Sequence, residues 1–80
     1  MNGFKLVAVQ EVTITKQPKL KGSNRVVYNV DLNGVPFGQI WTYKTAGEKH
    51  VWHAAQSNGN LVGEGYATYA QAETAIRSVM

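Results

Sequence analysis

The chain has no cysteine, only two prolines and only five carboxylate side chains among its 80 residues. Without cysteine it cannot be a disulfide-stapled scaffold and has no thiolate to offer. A metal site is disfavoured for the same reason and because carboxylates are few. No segment approaches the run of about 20 apolar residues that crosses a bilayer. We therefore expect no metal, no cofactor and no membrane partner.

The two histidines do not indicate a metal site or a catalytic site. His50 and His53 are three residues apart, which would bring them together on a helix but sends them to opposite faces of a strand. No other stretch has a catalytic signature, so an enzyme ranks last among the functions we consider. We expect a protein that binds without catalysis.

The length of the chain suits one domain, spanning residues 1–80. Its first residues carry one lysine and a short apolar run, without a small-residue cleavage site. We therefore expect a soluble protein with a cytoplasmic location.

The last third of the sequence predicts one capped amphipathic helix. Thr68 and Gln71 have the spacing of a capping box, in which Gln71 reaches back to the Thr68 N–H. Glu73 precedes Arg77 by four residues, the favourable order for an exposed ion pair. So short a helix is marginal in water and must dock an apolar stripe on a sheet. The stripe consists of Ala72, Ala75, Ile76 and Val79.

Asn33-Gly34, between two alternating apolar runs, predicts a hairpin with a two-residue turn. If Leu32 opposes Val35, stepping back by pairs sets Val30 against Phe37 and Val26 against Trp41. The face packed against the helix would then carry Val26, Tyr28, Val30, Leu32, Val35, Phe37 and Trp41.

A second hairpin is predicted at Asn58-Gly59, with Ala54 near Gly63 and Trp52 near Gly65. We expect the helix to lie over these two glycines, with Trp52 filling the space that they leave. A turn at Ala46-Gly47 would place Trp41 beside Trp52. The predicted fold class is α+β: an antiparallel meander sheet of three to five strands with one C-terminal helix packed on one face.

The opposite face of this predicted sheet is unusually apolar for a surface exposed to water. Either residues 4–15 cover it or a partner does. These residues are themselves predicted to form either a strand that is apolar on both sides or one with a bulge near Gln10. It would carry Val27, Ile40, Val51, Ala55, Val62 and Tyr66, mixed with Arg25, Asn29, Thr42, His53 and Glu64.

Four cations, Lys16, Lys19, Lys21 and Arg25, fall within ten residues that contain no acid. A mobile cationic loop beside aromatic side chains suits contact with phosphates, which needs donors but no precise geometry. The alternative is a solvated loop that keeps a small domain in solution.

A resemblance to known families enters through the last thirty residues. The run Trp52-x-Ala54, Gly59, Gly63-x-Gly65-Tyr66 and Thr68-x-x-x-Ala72 resembles the small three-stranded DNA-binding domains of tyrosine integrases (their N-terminal, arm-binding domain) and plant AP2 factors. In those families the exposed sheet face enters the major groove. The resemblance implies a DNA-binding sheet and is consistent with a phage or mobile-element protein.

Two hypotheses about function follow. The first is a nucleic-acid-binding module that uses the free sheet face and the basic loop at residues 16–25. The second is a protein-binding or self-associating module, such as a homodimer or a phage protein that binds a host protein, which buries the same face. The predicted nucleic-acid-binding residues are Lys16, Lys19, Lys21, Arg25, Lys44 and Tyr66.

Overall fold

A computed structural model describes residues 10–44 and 51–80. Five antiparallel strands follow one another in a meander, and one helix packs on the last three of them. The predicted α+β class is therefore confirmed. The elements are β1 (Val12–Lys16), β2 (Arg25–Leu32), β3 (Val35–Tyr43), β4 (Trp52–Gln56), β5 (Leu61–Tyr66) and α1 (Tyr69–Arg77).

The first hairpin turns where the sequence predicts it. Asn33 and Gly34 have φ values of 53° and 79°, the left-handed conformation that a type I′ turn requires at both central positions. Leu32 pairs with Val35, as predicted.

Beyond that turn the predicted register is wrong by one residue, because β3 contains a bulge. Val30 pairs with Gly38 instead of Phe37, and Val27 instead of Val26 pairs with Trp41. Side chains alternate along a strand, so one extra residue reverses the face of everything that follows it. Trp41 therefore points away from the helix, while Ile40 points towards it and is fully buried.

The second hairpin is also displaced by bulges. Ala54 pairs with Gly63 as predicted, but Trp52 pairs with Tyr66 because Gly65, at φ 82°, is an extra residue in β5. Trp41 lies opposite His53 rather than beside Trp52. The predicted turn at Ala46-Gly47 falls outside the described residues.

The edge strand β1 answers part of the question about residues 4–15. It pairs with β2 in the plane of the sheet, with Ile14 opposite Val30, so its described residues extend the sheet rather than cover a face. Residues 4–9, and with them half of the predicted N-terminal segment 4–15, lie outside the described part of the chain, and Gln10 precedes β1.

Helix α1 begins at the predicted cap. The Gln71 N–H donates to the Thr68 hydroxyl at 3.2 Å, while the Gln71 side chain accepts from the Ala67 N–H rather than from that of Thr68. Glu73 and Arg77 form the predicted ion pair at 3.0 Å. Across the described residues, no helix is long and apolar enough to span a membrane. The fully buried cluster beneath the helix consists of Val30, Ile40, Ala54, Ala72 and Ile76.

Gly38 is the glycine that lets the helix approach the sheet. A Cβ atom there would meet the Ala55 carbonyl oxygen and come within 2.8 Å of the Ile76 Cδ1 atom. The space over Gly63 is taken by the Tyr66 phenol and not by Trp52, which corrects the predicted packing. Trp52 packs instead against Tyr28 and Tyr69, with ring centroids 6.1 and 5.4 Å away.

The contribution of this aromatic cluster to stability depends on pH through Tyr69. Burial, together with a hydrogen bond and the negative charge of Glu73, raises the pKa of Tyr69 to about 12. Because this pKa exceeds the ordinary value of about 10, the contribution of Tyr69 to stability is complete below pH 10 and is lost as the pH rises towards 12. Thermal melts across this range should show a steeper fall for the wild type than for Tyr69→Phe. Parallel curves would contradict the assignment.

Candidate nucleic-acid interface

The exposed sheet face, meaning the side of the sheet opposite α1, is mostly polar and aromatic. Its apolar members are Val27, Ala55 and, on the edge strand β5, the exposed Leu61. Ile40 and Tyr66, predicted on this face, pack with the helix-side core, as does Val62. Thr42 also turns to the helix side, where it is 1% exposed and its hydroxyl donates to the Val51 carbonyl at 2.7 Å. The bulges in β3 and β5 cause this exchange. The exposed sheet face carries Thr15, Arg25, Val27, Asn29, Gln39, Trp41, His53, Ala55 and Glu64.

An open groove of about 760 Å³ runs across this face. Its size falls within the range of about 300 to 1,000 Å³ that is usual for ligand clefts. Residues from four strands and from the β4–β5 turn line it, so the surface is concave across most of the sheet. The lining includes Thr15, Arg25, Asn29, Gln39, Trp41 and Gln56.

Trp41 lies at the centre of a row of planar groups. The Arg25 guanidinium carbon is 5.5 Å from the indole centroid, within cation–π range. The His53 ring, on the neighbouring strand, is stacked at 5.5 Å with an interplanar angle of 28°. The far side of His53 faces Glu64, with 3.8 Å between Nδ1 and Oε2, and Tyr43 meets the imidazole edge-on. The row joins all four strands from β2 to β5.

Three amides form a second polar cluster in and beside the groove. The Asn29 carbonyl oxygen accepts from the side-chain amide of Gln17 at 2.8 Å and from that of Gln39 at 3.1 Å. This arrangement uses the acceptor of Asn29 and one donor from each glutamine. Within the described ranges, the Asn29 amino group and the two glutamine carbonyl oxygens make no side-chain hydrogen bond, so the cluster retains both donors and acceptors for a ligand.

The basic loop lies at one end of the groove. The Gln17 N–H donates to the Val27 carbonyl at 2.8 Å. Pro18 and Leu20 of the loop line a small depression together with Val27, which is only 7% exposed. Lys44 joins the same end of the sheet because its N–H donates to the Asn24 carbonyl at 2.7 Å. The loop that carries Lys19 and Lys21 thus joins β1 to β2 at the end of the sheet where Arg25 and Lys44 lie.

Two predicted site residues belong elsewhere. Lys16 pairs with Tyr28 and therefore projects to the helix side of the edge strand β1. Tyr66 lies across Gly63, also on the helix side. Neither residue lies on the exposed sheet face. The predicted register was wrong for Tyr66, and the alternation of side chains along β1 directs Lys16 to the helix side.

Charge is graded along the strands of the described sheet. The cationic end, defined by Lys19, Lys21, Arg25 and Lys44, lies where β2 begins and β3 ends. Asp31 lies at the other end, and Glu11 is held there by backbone hydrogen bonding with Asn33 at 2.8 Å. An anion approaching the groove is therefore attracted to one end and repelled from the other.

Trp41 is the residue of this surface that sequence reasoning missed. The sequence signal that indicates its position is Pro36. Proline cannot donate a ladder hydrogen bond and in a central strand occurs essentially at bulges, so Pro36 within β3 predicts the shift that brings Trp41 to the surface.

Within residues 10–44 and 51–80, no group of three or more His, Cys, Asp or Glu side chains is arranged to hold a metal ion. His50 lies outside these ranges, so the predicted separation from His53 stays a prediction. Comparison with protein-family profiles, with curated proteins and with solved structures gave no significant match.

Proposed function

We propose that this protein is a small nucleic-acid-binding module without catalytic activity, acting in the cytoplasm. The cationic end contacts phosphates, and the exposed sheet face receives the rest of the ligand. The observation that carries the proposal is the position of Arg25, which belongs to the cationic end and also stands 5.5 Å from Trp41 in the groove. Phosphate attraction and aromatic contact are the two interactions on which such binding usually depends.

The proposal of a nucleic-acid ligand is favoured over a protein partner by the chemistry of the exposed sheet face. The hypothesis of a protein partner depended on apolar residues predicted on that face, but in the structure Ile40, Val62 and Tyr66 pack on the helix side. The face instead offers amides, an arginine and an indole, which suit a polar, negatively charged ligand with planar groups. The resemblance to integrase and AP2 domains supports the same ligand class.

Removing charge from the basic loop tests the proposal. We expect Lys19→Gln with Lys21→Gln to weaken binding of oligonucleotides of any sequence about equally, because phosphate contacts carry no base information. The slope of log affinity against log salt should become shallower by about 0.7 to 0.9 for each phosphate that the variant no longer neutralises. Fluorescence anisotropy with labelled oligonucleotides at several salt concentrations measures both quantities.

Arg77→Gln is the matched control, because it removes a positive charge from the helix, on the opposite side of the sheet. Its affinity and salt slope should match those of the wild type. If the wild type binds no nucleic acid even at low salt, where electrostatic attraction is strongest, the proposal fails and a protein partner takes its place. Equal losses of affinity for both variants would show that the basic loop does not contact the ligand.

A further inference from the structure

We infer that the groove binds single-stranded nucleic acid, with an unpaired base against Trp41 and its backbone at the cationic end. This inference rests on the proposed function and adds the form of the ligand. Three features support it: the width and curvature of the sheet, the groups that line the groove and the gradient of charge.

Width argues against insertion into a duplex. Five strands at about 4.8 Å spacing make a sheet roughly 19 Å across, whereas the major groove is about 12 Å wide and admits a helix or a two-stranded ribbon. A three-stranded sheet, roughly 10 Å across, is within that limit. Here β1 and β2 extend the sheet on one side, and the groove across β1 to β4 makes the face concave. A concave face surrounds a strand rather than entering a groove.

The lining of the groove offers what an unpaired base exposes and a duplex hides. Trp41 lies between Arg25 and His53, and this row of planar groups offers a surface against which a base can pack. Such packing tolerates any sequence because every base has a π-face. Asn29 and Gln39 present donors and acceptors next to it, which suit the hydrogen-bonding edges of a base. In a duplex the faces of the bases are already stacked and their Watson–Crick edges are already paired.

The charge gradient fixes how the strand lies. Phosphates are attracted by Lys19, Lys21 and Arg25 and repelled by Asp31 at the far end of the groove. The backbone therefore crosses β2 and β3 at the cationic end, and its bases project along the strands towards Asn29 and Gln39. Binding of this kind predicts a short footprint of a few nucleotides.

The test compares one labelled thymidine oligonucleotide in three forms: single-stranded, paired with its complement, and with its bases removed. Wild-type protein should bind the single strand at least tenfold more tightly than the other two at physiological salt. Trp41→Leu should lose about tenfold in affinity for the single strand and keep its salt slope, because it removes stacking without removing a cation. Trp41→Phe, which retains an aromatic ring, should recover most of the affinity.

The outcomes separate the inference from the proposed function. Binding that is equal or tighter for the duplex, or equal for the base-free strand, overturns the inference while leaving nucleic-acid binding intact. An unchanged affinity of Trp41→Leu also overturns it, provided that its melting temperature shows a folded protein. Absence of binding to all three forms in low salt instead rejects the proposed function itself.

Discussion

Gly38→Val is expected to destabilise the domain strongly, by about 3 kcal/mol or more. A Cβ atom at this position would press on the Ala55 carbonyl of the adjacent strand and on the Ile76 side chain of the helix, which is fully buried. The Ala55 carbonyl is backbone, and the Ile76 Cδ1 atom, although it ends a side chain, is fully buried and has no free space to move into, so β3 would have to shift relative to β4 and α1. Overpacking costs about 1 to 3 kcal/mol, and branching at Cβ adds atoms in the same space. The total free energy of unfolding of a native domain is about 5 to 15 kcal/mol, so this loss is a large fraction of it.

Gly38→Ala grades the effect, since it adds the Cβ atom alone and should lower the melting temperature by about 4 to 8 °C for each kcal/mol of stability removed. Gly59→Asn is the control, because a Cβ atom at Gly59 would meet no other atom within 4 Å. The φ of Gly59 is 93°, and asparagine tolerates positive φ better than most other residues with a side chain. Circular dichroism melts of the three variants measure the difference. A wild-type melt for Gly38→Val would mean that the helix does not lie over Gly38.

Trp52→Ala is the second substitution with a large expected effect. Trp52 packs against Tyr28 on β2 and against Tyr69 on the helix, whose rings also contact each other at 4.9 Å, so the three rings form one cluster between sheet and helix. Truncation of a core tryptophan costs about 3 to 5 kcal/mol, and the lower end applies because Trp52 is only half-buried. Urea denaturation should show the loss of stability as a reduced midpoint with a cooperative transition.

Trp41→Leu provides the comparison for Trp52→Ala, because the two tryptophans occupy neighbouring positions on opposite faces of the sheet. We expect Trp41→Leu to change the midpoint much less, since the indole lines an open groove. A midpoint for Trp52→Ala that equals the wild-type value would contradict the aromatic bridge between sheet and helix.

The helix and the turns of this fold could be predicted because their signals are local. Thr68 and Gln71 lie within one turn of each other, and Asn33-Gly34 needs no information from the rest of the chain. The faces of β3 and β5 could not be read in the same way. The face depends on one bulged residue in β3 and on two in β5, and a register error of one residue reverses a whole strand.

The candidate site shows the same division. The cluster of cations at Lys19, Lys21 and Arg25 is visible as composition and could be predicted. The groove could not, because it requires Trp41, Asn29 and Gln39 to share a face, and they do so only after the bulge at Phe37 has shifted the strand. Long-range register decides the chemistry of the surface, whereas local sequence decides the elements.

The bulge in β3 also sets how the hairpin can tolerate changes in length over evolution. Loss of Phe37 would remove the extra residue and restore simple alternation while leaving the later pairs of β3 in place, with Ile40 still facing the helix and Trp41 still facing the groove. Loss of one residue after Gly38 would instead exchange the apolar and the polar sides of the rest of the central strand in one step. Changes in length are therefore expected to be tolerated in the 17–24 loop, and a deletion within β3 only at the bulge.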